Sequence, residues 1–416
     1  MEKKYFPIKS KTACQLKWNW STLYLHEELT ASCHRTGWSP LTVENFDNFH
    51  NTEKKKQERL DMLQGRWPEE SCGYCRKIEE SGGFSDRMLH LTVPDQVPPE
   101  LDHNPTAVTV SPTILEVFFN NTCNLACLYC LPDLSSKINQ ENNKFGDFIT
   151  GDIKLISAPQ SQNYPALLEK FWSWMNINSG SLRRFNVLGG EPFYQQEFEK
   201  ILEFFKNKPH PDLELGVVTN LMVSPDKLDK FVAVFRSMLA KKHVKRIDIT
   251  CSIDCWGPEQ EYVRYGLNLE IWEKNFLTLL KNKWLTININ QTISVLTIKT
   301  MPELLAKLAS WRNIHPVGHY FSAVSPQPRY LMPHIMGKEI FLKDFDRILN
   351  LMPTDTQQDQ TSLNYMQGIQ DQIANSQPDL QSKADLKLFL NEKDRRRGNS
   401  WRKTFPWLVK EIDHVV

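Results

Sequence analysis

The stretch ILEVFFNNTCNLACLYCLPD fills residues 114–133. It opens as a short apolar strand and passes straight into a loop with cysteines at 123, 127 and 130. Six residues, five of them apolar, bounded by Asn read as a β-strand. Three thiols within eight residues are not a pattern that packing requires. If the strand belongs to a parallel sheet, the thiols stand at its carboxyl end, where α/β folds place their ligands.

The texture beyond residue 114 supports such a sheet. Strand-like runs recur as RRFNVLGG (183–190), LELGVVTN (213–220), VKRIDITCSID (244–254), LTININQTISV (285–295) and VGHYFSAV (317–324). Between them lie amphipathic helical stretches: QEFEKILEFFKN (196–207), PDKLDKFVAVFRSMLA (225–240), LEIWEKNFLTLLKN (269–282) and MPELLAKLASWR (301–312). Six strands with helical crossovers predict an α/β fold with a parallel sheet, right-handed connections, and curling or closure into a barrel.

The chain is 416 residues long, 40% hydrophobic and 24% charged, a length that buries a core without disulfide staples. Its net charge is +1 and its sequence pI about 7.6, so no global field draws it to nucleic acid or an anionic membrane. No run of about 18 apolar residues occurs, and the start MEKKYFPIKSKT lacks a signal-peptide apolar stretch. A cytoplasmic protein is the expectation. Disulfides are rare in a reducing cytosol, so nine cysteines need another explanation. Cys251 reads as a small buried hydrophobe.

Thiolates spaced C-x3-C-x2-C can wrap three corners of a cubane cluster. A zinc site would want four protein ligands, in spacings closer to CxxC pairs. Three ligands leave one iron of a [4Fe–4S] cluster open to a substrate or cofactor. With aromatic Tyr129 between Cys127 and Cys130, the CxxxCxφC loop resembles the radical S-adenosylmethionine (SAM) superfamily over about residues 114–325. The resemblance implies a partial (β/α)6 barrel. It also implies a [4Fe–4S] cluster held by Cys123, Cys127 and Cys130, whose open iron chelates SAM. Reductive cleavage of SAM would give a 5′-deoxyadenosyl radical that abstracts a substrate hydrogen. LGGEPF (188–193) resembles the family's GGE motif, so Gly189, Gly190 and Glu191 would meet the SAM amino group. Thr219 and Asn220 close the third strand at the mouth. Ser252 would meet the SAM ribose or carboxylate, and Arg264 its carboxylate through a fork-like contact. Asn288, Asn290 and Gln291 offer polar groups from the fifth strand. Cys255, just past the fourth strand, is a candidate hydrogen-atom donor to a product radical, with a bystander thiol as the alternative.

Upstream, Cys14 and Cys33 are followed by a polar helix, NTEKKKQERLDMLQG (51–65), and by the CxxC of Cys72 and Cys75. Read alone, four such thiols fit a structural zinc site about as well as an iron–sulfur site. The region resembles the twitch half-module, related to SPASM, which holds auxiliary [4Fe–4S] clusters but usually follows the barrel. An auxiliary cluster is therefore implied here, with zinc and unliganded thiols as alternatives. Trp18, Trp20, Trp38 and Trp67 would cover it. His34 and His50 flank the module, with local hydrogen bonding expected of both.

The expected domains are a twitch-like module (1–95), a Pro-rich linker (96–113), the barrel (114–330) and a C-terminal helical extension (331–416). The Gln/Asn/Asp-rich stretch 355–385 reads as surface helix and loop. The tail reads as helical around a basic break, with Arg395, Arg396 and Arg397 forming a solvated face or a substrate-contact patch. Relatives with such modules mostly modify peptides, by crosslinking, epimerisation or excision of a residue fragment. A peptide or protein is thus the leading substrate class. A sugar, nucleotide or other small molecule is the rival, and a non-catalytic iron–sulfur scaffold the third reading. A reductase, flavodoxin or ferredoxin would supply electrons, and a separate peptide-recognition protein would suit a peptide substrate. No membrane partner is expected, and nucleic acid is disfavoured.

Overall fold

The computed structural model describes residues 5–33, 35–83, 85–91, 93–94, 96–159, 161–324 and 328–414; His34 lies outside the described residues. In chain order the strands are β1 (Trp20–Tyr24), β2 (Leu29–Ala31), β3 (Ser39–Pro40), β4 (Ile114–Phe118), β5 (Phe148–Thr150), β6 (Ile153–Leu155), β7 (Arg184–Leu188), β8 (His210–Thr219), β9 (Val244–Ser252), β10 (Thr286–Ile293) and β11 (Val317–Ala323). Among the described residues nine of them form one sheet in the order β11-β10-β9-β8-β7-β4-β1-β2-β3, and β5 and β6 pair separately. β1–β4, β4–β7, β7–β8, β9–β10 and β10–β11 are parallel, while β1–β2 and β2–β3 are antiparallel. All six strands expected after residue 114 form, in sequence order.

The α-helices are α1 (Gln15–Asn19), α2 (Glu53–Leu63), α3 (Gly73–Glu80), α4 (Asp86–Leu91), α5 (Ser136–Phe145), α6 (Tyr164–Asn178), α7 (Gln196–Asn207), α8 (Pro225–Ala240), α9 (Pro258–Val263), α10 (Leu269–Leu280), α11 (Met301–Arg312), α12 (Leu342–Leu351), α13 (Gln357–Ala374), α14 (Leu380–Arg397), α15 (Trp401–Thr404) and α16 (Pro406–Ile412). Among the described residues no helix is long and apolar enough to cross a membrane. The chain divides into two compact units. The first comprises Met1–Asn120, Pro159–Val217 and Met238–Arg246; the second comprises Asn121–Ala158, Val218–Ser237 and Ile247–Val416.

In the first unit the strands alternate with period two. Leu115, Val117, Phe185, Val187, Leu215 and Val217 are fully or almost fully buried. Glu116, Arg184, Asn186 and Glu214 occupy the alternate positions, so one face is aliphatic and the other polar. Phe171 of α6 and Phe205 of α7 both pack on Phe185, at centroid separations of 6.4 and 5.6 Å, and cover the aliphatic face. On the polar face Glu214 takes ion pairs from Arg184 and Arg246, at 3.3 and 2.9 Å.

The cysteine-rich N-terminus is not set apart from this sheet. β1 runs parallel to β4 in register Trp20↔Ile114 through Tyr24↔Phe118. The Pro-rich segment expected as a linker is not a free spacer either. Leu101 and Val110 are buried in one core with Leu16, Trp18, Met62, Cys14 and Cys33. Its backbone is held as well, since Trp18 Nε1 donates to Ala107 O and Arg59 Nη1 to Val108 O. Proline removes donors but leaves carbonyls, and buried N–H groups of the neighbouring core take them up.

In the second unit Ile249, Cys251, Ile287 and Ile289 form the buried face of β9 and β10, with Thr250, Ser252, Asn288 and Asn290 alternating. Trp272, Phe276 and Trp311 join α10 to α11 at centroid separations of 4.7–5.7 Å. The stretch 355–385 is mostly one helix, α13, started by a capping box of Thr356 and Asp359. The tail is helical on both sides of a break, which falls at residues 398–400, just past the arginines. α14 runs through Arg395–Arg397 and stops at left-handed Gly398, φ 70°. Three arginines in a last turn complement the helix dipole, and Glu392 pairs with two of them.

Candidate functional site

The cysteine triplet lies in the second unit, on a loop tied down along its length. Ala126 N–H donates to Tyr265 O (2.9 Å) and Leu128 N–H to Val263 O (2.8 Å), so residues 126–128 run against 263–265. At its start, Cys123 N–H donates to Ser136 Oγ (3.1 Å). Asn124 Nδ2 donates to Met222 O (2.7 Å) and Asn220 Nδ2 to Asn124 Oδ1 (2.8 Å). Asn220, expected as a cofactor contact, thereby orients the loop; its amide also lies 3.8 Å from Cys123 Sγ. Gly266 adopts φ +97°, and a Cβ there would come within 3.2 Å of Asn124 O, so the close approach of the two segments needs glycine.

Beside the triplet stands a residue that the sequence reading did not single out. Asp254 is fully buried and accepts four hydrogen bonds. They come from Arg264 Nε and Nη2 (2.8 Å each), Tyr129 Oη (2.7 Å) and Thr292 N–H (2.8 Å). The Arg264 fork, expected to grip a SAM carboxylate, is closed on this carboxylate, and its Nη1 stands 4.0 Å from Cys127 Sγ. Tyr129 is joined to the same hub through its hydroxyl. A signal existed in CSIDCWG: a lone aspartate at the end of a buried apolar strand must find partners, and an arginine ten residues on is a natural one.

Cys123, Cys127 and Cys130 are half-buried thiols. Burial pushes the Cys127 thiol up, while the Arg264 guanidinium pulls it back in part. Cys130 is pushed up by burial and then by Cys127 and Cys123. The donor set fits an iron–sulfur group: soft ligands only, with a cation against one of them. Loading would expel their protons. Among the described residues no three His, Cys, Asp or Glu side chains converge tightly enough for a single metal ion.

Ser252 ends β9 and is buried, as is Cys255 beyond it. Cys255 N–H donates to Gln260 Oε1 at 3.0 Å, and its Sγ lies 3.6 Å from the same oxygen. Burial holds that thiol well above its ordinary range, so it stays S–H. On β10, Gln291 Nε2 donates to Asp254 O (2.5 Å), whereas Asn288 and Asn290 lie on the opposite, polar face.

The GGE residues belong to the first unit. Gly189 and Gly190 have φ +82° and +55°, and a Cβ on Gly189 would fall 2.5 Å from Phe118 Cδ1. Glu191 is fully buried and accepts from Phe193 N–H, capping the short turn Pro192–Tyr194. Gln195 braces the turn by donating to Asn120 O and Gly189 O.

The first unit also gathers the other four cysteines. Cys14, Cys33, Cys72 and Cys75 line one cavity of about 20 Å³, together with Lys17 and Trp67. Burial comes first in raising each thiol, Cys72 to about 11, and neighbouring thiols add to the rise in Cys14 and Cys72. Cations are built in. Lys17 pairs with Glu58 at 2.5 Å, both buried, and Arg87 pairs with Glu79 at 2.5 Å and lies over the Trp67 ring. Trp18 packs in the same core and Trp20 beside it. Trp38 does not take part as expected: it is 42% exposed and packs edge-on against Tyr24. His50 is held by Ser21 Oγ (2.7 Å) and Trp18 O (2.9 Å), which is local hydrogen bonding.

No family model matches the chain, and no curated protein matches it. Solved structures do. Histidine-tagged anSMEcpe with bound AdoMet is similar at 19% identity and a TM-score of 0.33, over 57% of this chain and 56% of that one. Native anSMEcpe with bound AdoMet and Kp18Cys peptide gives 16% and 0.33, covering 62% of each chain. The structure of TYW1 with a lysine-pyruvate adduct bound gives 13% and 0.29, over 61% of this chain and 71% of that one. This chain thus spans 56% and 62% of the first two structures' length.

Proposed function

We propose that this chain is a radical SAM enzyme built on a partial (β/α)6 barrel, with a twitch-like auxiliary cluster module, and that it modifies a peptide or protein. The observation that carries the reading is the CxxxCxxC loop, folded just beyond β4 with three half-buried thiols and pinned along 126–128 against 263–265. Cys123, Cys127 and Cys130 would each hold one iron of a [4Fe–4S] cluster. When bound, cluster and SAM together supply one-electron cleavage of the sulfonium, giving a 5′-deoxyadenosyl radical able to take a substrate hydrogen.

The chain's own residues supply orientation. The pairing of 126–128 with 263–265 fixes the thiols, and Asn220 fixes the entry to the loop. Asp254 locks Arg264 and Tyr129 in one arrangement, which keeps a guanidinium N–H beside the Cys127 corner. Gly189 and Gly190 open the backbone for close approach of an ammonium, and Glu191 supplies the carboxylate. In the module, four thiols around one cavity would ligate every corner of a second cubane, leaving no open iron there. That arrangement suits electron transfer or structural support. The peptide class rests on the resemblance of this module to those of peptide-modifying relatives.

The test is anaerobic reconstitution with iron and sulfide counted, then reduction with SAM. About eight irons and release of 5′-deoxyadenosine are expected. Cys127→Ala should abolish SAM cleavage while the module still takes up iron. A Cys127→Ala protein that cleaves SAM normally would refute the assignment of the triplet. Zinc in the module would remove the auxiliary cluster.

A further inference from the structure

The arginine run at the end of α14 was expected to face solvent, yet only Arg395 does, at 58% side-chain exposure. The Arg396 and Arg397 side chains are 1% and 2% exposed. Arg396 is fully engaged, donating to Glu392, Asn142 and Gly146 O. Arg397 is not. Its Nε donates to Glu141 Oε2 at 2.7 Å and its Nη2 approaches Glu141 Oε1 at 3.4 Å. Its Nη1 is buried and has no hydrogen-bond partner among the described residues.

A buried guanidinium nitrogen without an acceptor is costly, and native structures rarely keep one without a reason. Glu141 does not neutralise the group, because Lys393 shares the same carboxylate at 2.5 Å. Around Glu141 itself two cations, Lys393 and Arg397, meet one carboxylate, while Glu392 is taken by Arg395 and Arg396 and Asp394 accepts from Tyr262 Oη and Trp401 N–H, so it is the Glu141 cluster that holds one cation in excess. Arg395 cannot be the surplus charge that matters, since it sits in water. Arg397 also has a defined place. Its guanidinium lies over the Tyr265 ring, 4.7 Å from the centroid, and Tyr265 O accepts from the N–H of Ala126, the neighbour of Cys127. The excess charge therefore stands behind the loop segment that carries the middle cysteine.

Resting on the radical SAM reading, we propose that Arg397 is a positioning residue of the triplet's cluster: a buried cation from the C-terminal extension that offsets the negative charge of three thiolates and favours the reduced state. Arg264 faces the same cysteine, but Asp254 cancels its charge at close range. Arg397 is the cation left to act. The same geometry makes α14 part of the cluster site and not an appendage to it.

The test is a redox titration of the reconstituted full-length protein, with the reduced cluster followed by electron paramagnetic resonance. The Cys75→Ala background isolates the triplet's signal. Arg397→Gln should keep its iron but lower the reduced-to-oxidised ratio at fixed potential, on the order of tenfold, which for a one-electron couple is about 59 mV. Arg397→Lys should restore most of the loss, since it keeps the charge. Glu141→Gln should shift the ratio the other way, and it serves also if Arg397→Gln fails to fold. Arg395→Gln should change nothing. An unshifted potential in Arg397→Gln or Glu141→Gln, with the cluster signal intact, would overturn the proposal and leave the radical SAM reading standing. A wild-type protein with no reducible cluster dependent on Cys127 would overturn both.

Discussion

Replacing Asp254 by Asn should unpin the cysteine loop, and the size of the effect follows from the hub's geometry. The carboxylate is fully buried and accepts two charge-assisted bonds from Arg264 at 2.8 Å, one from Tyr129 and one from Thr292 N–H. An amide keeps the shape but loses the charge and turns a donor toward at least one of those donors. Breaking one side of a buried ion pair costs about 3–5 kcal/mol, because the other charge is left uncompensated. Counting bonds gives a similar figure, since two charge-assisted hydrogen bonds at about 1.5–3 kcal/mol each are lost or reversed. The loss should concentrate where Arg264 meets the triplet loop. Hydrogen exchange is the suitable assay, because it reads local opening rather than a single global transition. At about 1.4 kcal/mol per tenfold, a 3 kcal/mol loss speeds exchange roughly 100-fold at the amides of Ala126 and Leu128. Adding Arg264→Met to Asp254→Asn should recover part of the loss, about 1–3 kcal/mol, as the stranded cation is removed. Unchanged protection at those two amides, or strictly additive single and double variants, would refute the view of Asp254 as the anchor of the loop.

Other substitutions test other parts. Gly189→Ala puts a Cβ 2.5 Å from Phe118 Cδ1 at φ +82°, so a loss of about 1–3 kcal/mol is expected in urea unfolding; a neutral result would show that the turn adjusts. Cys75→Ala should lower the iron count by up to four and spare SAM cleavage, as measured by iron analysis and 5′-deoxyadenosine release. Hydrogen bonds from Arg395 and Arg396 hold Glu392 down to about 2 from an ordinary 4.5. In acid the unfolded chain therefore binds the extra proton, so the stabilisation is present above pH 4.5 and fades as pH falls toward 2. Glu392→Gln should flatten the stability profile in that window by roughly 1–2 kcal/mol, a figure discounted for the exposed Arg395 partner. Equal acid sensitivity of wild type and variant would contradict the assignment.

Much of the second half of the chain was legible because local and global signals agree there. In strands such as VKRIDITCSID one face is aliphatic and the other polar, and each is followed by an amphipathic helix whose bounds match its apolar period. α7, α8 and α11 begin and end on the residues that periodicity assigns. The N-terminus was less legible because its structure depends on distant partners. WSTLY is too short to announce a strand, and it becomes one by lying along ILEVF, far down the chain. The Pro-rich segment looked like a spacer because its few apolar residues, Leu101 and Val110 among them, have no period; they are buried only because the cysteine core is there to receive them. Charge misled in the tail for the same reason. Three consecutive arginines read as a solvated face until Glu141, more than 250 positions upstream, is seen to draw one of them inward. Asp254 combines both cases. Its partners Tyr129, Arg264 and Thr292 stand on three separate segments, so no window of sequence contains the site that they form. The cysteine spacing identified the chemistry, because a ligand motif is local by nature. What holds that motif in place is assembled from residues that only the fold brings together.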